Sequence, residues 1–313
     1  MISQALPAIR RYGIAAVTVA LFFLLAVTTD GFLSQANFRN ILDQQSALLI
    51  AASFATITMI AGGFDISAAS VFVVAPLFAL QVENATGNAP LAAAAGVVVG
   101  LVVGVANGLV VTALKVNSFI ATLATSFMVF GIGFLVSDRS VLRVSTDAYP
   151  AIARTRWLGI TTGAWIAAVV VATAWLLLSR TRFGRHVYAT GGNAEAARLA
   201  GVPVARVTTI CFALAGAAAG LAGVVSSSRS LSALPSDDFS FVFGVIAAVV
   251  VGGTSIAGGE GAVWRTIAGA FFIALMINGF NLHQIDPIWQ RVIQGAVILG
   301  AVSIDSWTQR RER

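Results

Sequence analysis

Few side chains in this chain could do covalent or metal chemistry. Cys211 is the only cysteine, and His186 and His283 are the only histidines. One thiol allows no internal disulfide and no thiolate metal site, and two imidazoles are too few for a histidine-built centre. What remains are polar side chains set among apolar ones, where each is costly and needs a reason. Asp65 stands in G-G-F-D-I-S, from Gly62 to Ser67, while Asn107 and Asn278 each precede a glycine, in A-N-G-L and I-N-G-F. Asn281 lies one helical turn beyond Asn278. Such amides bond either between helices or to a polar solute. Asp65 either caps a helix end near the membrane surface or takes part in gating. Asp65, Ser67, Asn107, Asn278 and Asn281 are therefore the candidate pathway or gating residues. A second glycine cluster, G-G-T-S-I-A-G-G-E-G, runs from Gly252 to Gly261. Glycine clusters suggest a phosphate cradle, but no G-x-x-x-x-G-K-[ST] occurs, so the sequence carries no P-loop of its own. If ATP drives this protein, another chain must hydrolyse it, and no cofactor is expected here.

The longest polar interruption runs from Arg180 to Val204 and carries Arg180, Arg182, Arg185 and Arg198, with Arg206 just beyond. It encodes a short helix with its own start and stop. Asn193 suits an N-cap, since its side-chain oxygen can accept from a free backbone N–H of the first turn. Ala194 to Ala200 are mostly strong helix formers. Gly201 suits the left-handed position after the helix, and Pro203 blocks continuation. A helix of roughly two turns is marginal alone in water and must pack against something. A basic loop that offers such a helix suggests a membrane protein driven by a soluble partner.

The elements that position these residues follow from composition. The chain is 58% hydrophobic and 10% charged over 313 residues, with mean hydropathy +0.89. That excess of apolar surface must face lipid, so the expected class is all-α and polytopic, a single transmembrane domain over residues 1–313. The net charge of +6 does not signal nucleic acid, because the arginines sit in short loops and at the ends. Ten apolar segments fall near 12–29, 46–62, 66–83, 89–113, 117–137, 160–179, 206–226, 240–254, 263–282 and 288–305. Each should be helical, because hydrocarbon offers no partner to open backbone groups. Gly62-Gly63 and Gly252-Gly253 interrupt the segments near 46–83 and 240–254, which suggests broken or half-length helices there. An even count puts both termini on one side. That side holds 12 Lys and Arg residues, including Lys115 and the 180–206 arginines, against 7 on the other: Arg39, Arg139, Arg143, Arg154, Arg156, Arg229 and Arg291. The bias places both termini and Asn193 in the cytoplasm. The alternative for the first segment is a signal peptide with Arg10 and Arg11 ahead of it, but no convincing small-residue cleavage site follows. The non-cytoplasmic stretch from Ser137 to Gly159 is short enough to be a folded cap or re-entrant piece. Gly96, Gly100, Gly104 and Gly108 share one helix face, and Gly216 and Gly220 repeat the pattern. Such faces let two backbones approach closely, either within one chain or across a dimer seam.

The run T-R-F-G-R-H-V-Y-A-T-G-G-N-A-E-A-A-R-L-A-G-V resembles the signature of permease subunits of bacterial ATP-binding-cassette sugar importers, the ribose/xylose/galactose type. N-F-R-N-I-L-D-Q-Q-S from Asn37, G-G-F-D-I-S from Gly62, A-N-G-L from Ala106, F-I-A-T-L from Phe119, I-A-A-V-V-V-G-G-T-S-I-A-G-G-E-G from Ile246 and I-N-G-F-N-L from Ile277 extend the resemblance over nearly the whole chain. It implies that the loop near 180–205 supplies a coupling helix seated in a groove of the ATPase. By position, Arg185, Gly191, Gly192, Asn193, Glu195, Ala196, Ala197, Leu199 and Gly201 would form it, with Ala197 facing the groove. It implies further partners: ATPase subunits, a periplasmic or lipid-anchored solute-binding protein, and a second permease chain, identical or paralogous. The location implied is the bacterial inner membrane. Four positions depart from the family pattern: Ala69 and Arg265 replace glycines, and Val242 and Gly244 stand where an acidic pair is usual. Within the family, nucleoside and furanone-signal importers are the alternatives to a sugar importer. Outside it, an ion-gradient-driven secondary transporter is the alternative. A repeat linking G-G-F-D-I-S with G-G-T-S-I-A would favour that reading. The scarcity of intramembrane acids for ion coupling weighs against it. No nucleophile–base constellation favours an intramembrane enzyme.

Overall fold

The structure, a computed structural model, describes residues 2–300 apart from 287, 291, 294 and 298, with side chains from Tyr12 onward. Among the described residues the bounded helices follow in the order α1 (Ile2–Thr28), α2 (Gln35–Ile60), α3 (Ala68–Thr86), α4 (Ala89–Ala113), α5 (Ser118–Val136), α6 (Ala148–Arg154), α7 (Thr162–Arg180), α8 (Arg182–Gly192), α9 (Ala194–Leu199), α10 (Val204–Ser230), α11 (Ser240–Val251) and α12 (Val263–Leu282). Four two-residue strands are interleaved: β1 (Leu142–Arg143), β2 (Arg156–Trp157), β3 (Ile160–Thr161) and β4 (Ser232–Ala233). They form two antiparallel pairs, β1 with β4 and β2 with β3.

Six described helices, α3, α4, α5, α7, α10 and α12, are long and apolar enough to cross a membrane. The expected count of ten spans is thus not reproduced on length and apolarity. The apolar part of α1, Tyr12–Thr28, and all of α11 are shorter. The span expected near 46–62 belongs to a helix that starts earlier, at Gln35, where the Ser34 side chain accepts from Asn37 N–H. Asn37, Arg39, Asn40 and Asp43 occupy the first part of α2, so only its second half is apolar. The segment near 288–305, Arg291 and the terminal arginines lie wholly or partly outside the described residues.

At the centre, α10 packs against α2, α3 and α4. Small residues make this possible. A Cβ added to Gly100 would collide with the Gly216 carbonyl, one on Gly216 with the Gly100 carbonyl, and one on Gly220 would lie 2.5 Å from the Gly96 carbonyl. Gly104 abuts the Phe212 carbonyl, and Gly108 sits against Thr209. The two glycine faces therefore meet each other within one chain, and α4 has no free glycine face left for a dimer seam.

The stretch from Ser137 to Gly159 folds as a cap. Strand β1 pairs with β4 beyond α10, and Tyr149 of α6 is fully buried with its hydroxyl 2.8 Å from Ser227 Oγ. Ser228 Oγ accepts from Ala153 N–H and donates to the Tyr149 carbonyl. Burial pushes the Tyr149 phenol up to about 12, so it stays protonated in this contact.

Candidate functional site: a glycine junction behind a capped helix

The polar interruption holds two helices, where the sequence suggests one. Thr181 ends α7 and caps α8, its hydroxyl accepting from Gly184 N–H at 3.2 Å. A Cβ on Gly184 would strike the Leu178 carbonyl, so the chain turns sharply here only because glycine has none. Helix α8 is amphipathic. It buries Gly184, Val187 and Thr190 at three-residue spacing and exposes Arg182 and Arg185. Arg185 reaches only the Thr181 carbonyl, at 3.4 Å. Asn193 is extended, with φ −158° and ψ 102°, and serves both as the end of α8 and as the cap of α9. Its Oδ1 accepts from Ala196 N–H at 2.9 Å.

Helix α9 ends in a Schellman motif. Gly201 N–H donates to the Arg198 carbonyl and Val202 N–H to the Ala197 carbonyl, both at 3.0 Å, with Gly201 at φ +83°. One turn of ion pairing adds to this: Arg198 Nη2 lies 2.6 Å from Glu195 Oε1, and Arg198 beside Glu195 holds that carboxyl below its ordinary value. The burial pattern corrects one expectation. Ala197 is 6% exposed and packs against its own chain, whereas Leu199 is 75% exposed. The face of α9 open to a partner is therefore Glu195, Ala196, Arg198 and Leu199, not Ala197.

Behind α9, glycines from three distant parts of the sequence meet. A Cβ on Gly191 would collide with the Ile60 carbonyl at the end of α2 and lie 2.7 Å from Gly259 N. Gly259 N–H donates to that same Ile60 carbonyl at 2.9 Å. A Cβ on Gly258 would lie 3.0 Å from Gly62 Cα and 3.1 Å from the Gly191 carbonyl, and one on Gly259 3.0 Å from Gly192 Cα. Tyr188 Oη donates to the Gly261 carbonyl at 2.8 Å. Burial raises the Tyr188 phenol pKa, so the hydroxyl remains a donor. The end of α2, the end of α8 and the α11–α12 connection are thus locked backbone to backbone. Gly62, Gly258, Gly259 and Gly261 belong to clusters visible in the sequence. What the sequence hides is that they converge on Gly191 and Gly192.

The candidate pathway residues split into two groups. Asp65, Ser67 and Asn107 come together: Ser67 N–H and Oγ donate to Asp65 Oδ1 at 2.9 and 2.6 Å, and Asn107 Nδ2 donates to Ser67 Oγ at 2.8 Å. Thr125 of α5, not foreseen, completes the chain by donating to Asn107 Oδ1 at 2.7 Å. Asp65 Oδ2 is buried with no hydrogen-bond partner among the described residues. The linker holding Asp65 is pinned to α5, where Ser118 Oγ accepts from Phe64 N–H and Thr122 Oγ1 from Ile66 N–H. Asn278 and Asn281 do not join this group. Asn278 and Asn37 exchange reciprocal amide bonds of 2.7 and 3.0 Å between α12 and α2, and Asn281 Oδ1 accepts from Gln290 Nε2 at 3.0 Å.

Two of the departures from the family pattern are neighbours. Ala69 and Val242 are both fully buried in one cluster with Ala219 and Phe130. Gly244 has room, since a Cβ there would make ordinary contact with Leu48 at 3.5 Å. Arg265 opens α12 beside the junction, where its carbonyl backs onto Gly252 and its charge offsets part of the burial effect that raises the Tyr188 pKa.

Comparison with known proteins adds a frame to this geometry. Residues 37–302 match the family described as branched-chain amino acid transport system / permease component. The chain is 34% identical to the L-arabinose transport system permease protein AraH of Escherichia coli (strain K12), over 97% of this chain and 92% of that protein. It is 34% identical to the ribose import permease protein RbsC of Escherichia coli (strain K12), covering 93% of each. The same identity holds for RbsC of Bacillus subtilis (strain 168), over 91% of this chain and 89% of that protein. No solved structure matches the chain.

Proposed function

The chain belongs to the family of branched-chain amino acid transport system permease components, and from that premise we propose that it is the membrane subunit of an ATP-driven importer for a monosaccharide or similar small polar solute. The names of the arabinose and ribose permeases, similar over nearly full length, support the sugar class. The one observation that carries the mechanism is the junction behind α9. A short capped helix, exposed on one face, is joined rigidly through Gly191 and Gly192 to the end of α2 and to the α11–α12 connection.

In this reading a separate ATPase takes α9 in a groove. Leu199 supplies the apolar contact, and Arg182 and Arg185 supply charge. ATP binding moves α9, and the Schellman and Asn193 caps keep it a rigid body. The glycine contacts have no side chains to yield, so the displacement passes to α2 and α12. These helices, with α3 and α11, then shift between inward- and outward-open states, biased by ATP on one face and by a solute-binding protein on the other. The chain performs no covalent step. Both termini and α9 lie in the cytoplasm, and two permease chains form the pathway, with about ten passes in each. Near the α9 end, the Asp65–Ser67–Asn107–Thr125 chain ties the α2–α3 linker to α4 and α5, a place where a gate would be held.

Leu199→Asp tests the docking face. The position is exposed, so insertion and folding should persist, while the new charge would face an apolar groove unpaired. The expected result is a folded permease that no longer co-purifies with its ATPase. Normal co-purification would show that the α9 face is not the docking surface.

A further inference from the structure

The charge count expects seven arginines on the side opposite Asn193, more than charge-biased topology calls for, and four of them, Arg39, Arg154, Arg156 and Arg229, gather in one place in the structure. At the opposite end of α7 from α9, roughly 28 Å away at 1.5 Å per helical residue, the first half of α2, the α6–β2 turn, the start of α7 and the end of α10 surround a cavity of ≈ 460 Å³. Arg154, Arg156 and Arg229 line it, together with Asp43, Thr161 and Ser226. A small adjoining recess shares Asp43, Arg156 and Thr161 and adds Arg39. Asp43 is the only acid lining either space, and one of its carboxylate oxygens and its backbone carbonyl are engaged. Thr161 Oγ1 donates to its Oδ1, and Arg229 Nη1 donates to its backbone carbonyl. Among the described residues Arg154 and Arg156 make no ion pair.

We propose that this cavity is a binding site for a small hydroxylated solute bearing an oxyanion, either a carboxylate or a phosphate. Three arginines from separate elements line it, and the guanidinium fork is the side-chain group that matches such an oxyanion in two-pronged fashion. Thr161, Ser226 and Ser230 at the wall offer hydroxyl partners for the rest of the molecule. The volume falls in the range of small-molecule sites, about 300–1,000 Å³. A cleft whose arginines outnumber its one acid three to one also concentrates anions before contact. The alternative, arginines that are merely solvated, does not account for the convergence of three of them on one cavity that holds a single carboxylate. The site stands independently of the transport reading.

The test uses the purified permease in nanodiscs of zwitterionic lipid, with titration calorimetry at constant ionic strength. The probes are D-gluconate for the carboxylate, ribose 5-phosphate for the phosphate, and neutral L-arabinose. At least one anion should bind saturably, with L-arabinose at least about tenfold weaker, a difference of about 1.4 kcal/mol. The double variant Arg154→Gln/Arg156→Gln should weaken the anion by at least about tenfold, whereas Arg139→Gln, outside the cavity, should not. Unchanged thermal unfolding of the double variant would exclude a folding defect. The better of the two anions names the oxyanion. Failure of both anions to bind, equal binding of L-arabinose, or native-like anion binding by the double variant would overturn the proposal. So would a double variant that loses only association with a solute-binding protein, which would assign these arginines to protein docking.

Discussion

Gly191 is the residue on which the coupling geometry turns. A methyl group there would occupy the space of the Ile60 carbonyl oxygen. Gly191→Ala must therefore part α8 from α2 or distort both, at a cost of about 1–3 kcal/mol typical of overpacking. Because the position lies outside the spans, membrane insertion should persist while solute uptake falls. Fluorescence-detected size exclusion alongside radiolabelled uptake would check this, and undiminished uptake would mean that the junction does not transmit. The need for glycine at 191 is legible in the sequence only as a motif. Its physical reason, backbone contact with Ile60 far earlier in the chain and with Gly259 far later, is a tertiary fact that no local pattern encodes. Asn193 and Gly201 are different. Their roles as cap and left-handed terminator are local, and they could be read directly from residue type and spacing. Asn278 shows the opposite limit, since an intramembrane asparagine looks the same in sequence whether it meets a solute or, as here, a second asparagine on α2.

At the scale of elements, periodicity carried most of the information where helices are long and uniformly apolar. The boundaries of α4, Ala89–Ala113, and α12, Val263–Leu282, coincide with the apolar segments. Periodicity failed where a helix is half polar. The first part of α2 lies beyond its apolar run, held by the Ser34 cap and the Asn37–Asn278 pair. It failed again at α8, whose weakly apolar composition hides an amphipathic helix that the three-residue spacing of Gly184, Val187 and Thr190 would have disclosed. The four-residue glycine spacing announced a close helix crossing, but not that α4 and α10 supply both sides of it. Gly100→Leu tests that crossing. Four side-chain carbons would have to enter where the Gly216 carbonyl already sits. The expected outcome is loss of a monodisperse folded peak in size exclusion, with destabilisation above the usual ~1–3 kcal/mol of overpacking. Wild-type stability would show that α4 meets lipid on this face.

For the whole molecule, the account requires one orientation and one energy source. Class and polytopic character follow from composition, because 58% hydrophobic content cannot be buried inside a chain of this size. Orientation rests on the charge bias, and the arginine-lined cavity accounts for part of the opposing charge. Asn193→Cys in a Cys211→Ser background should label with a membrane-impermeant maleimide only after cells are opened; labelling in intact cells would reverse the orientation. The central claim, that a separate ATPase drives solute across this chain through α9, is tested most directly by reconstitution. The permease, its ATPase and its solute-binding protein are placed in proteoliposomes, and uptake of the bound sugar is followed with and without ATP under no ion gradient. The account predicts uptake that requires ATP and that is abolished by Leu199→Asp. Uptake that proceeds without ATP once a proton or sodium gradient is imposed would contradict it.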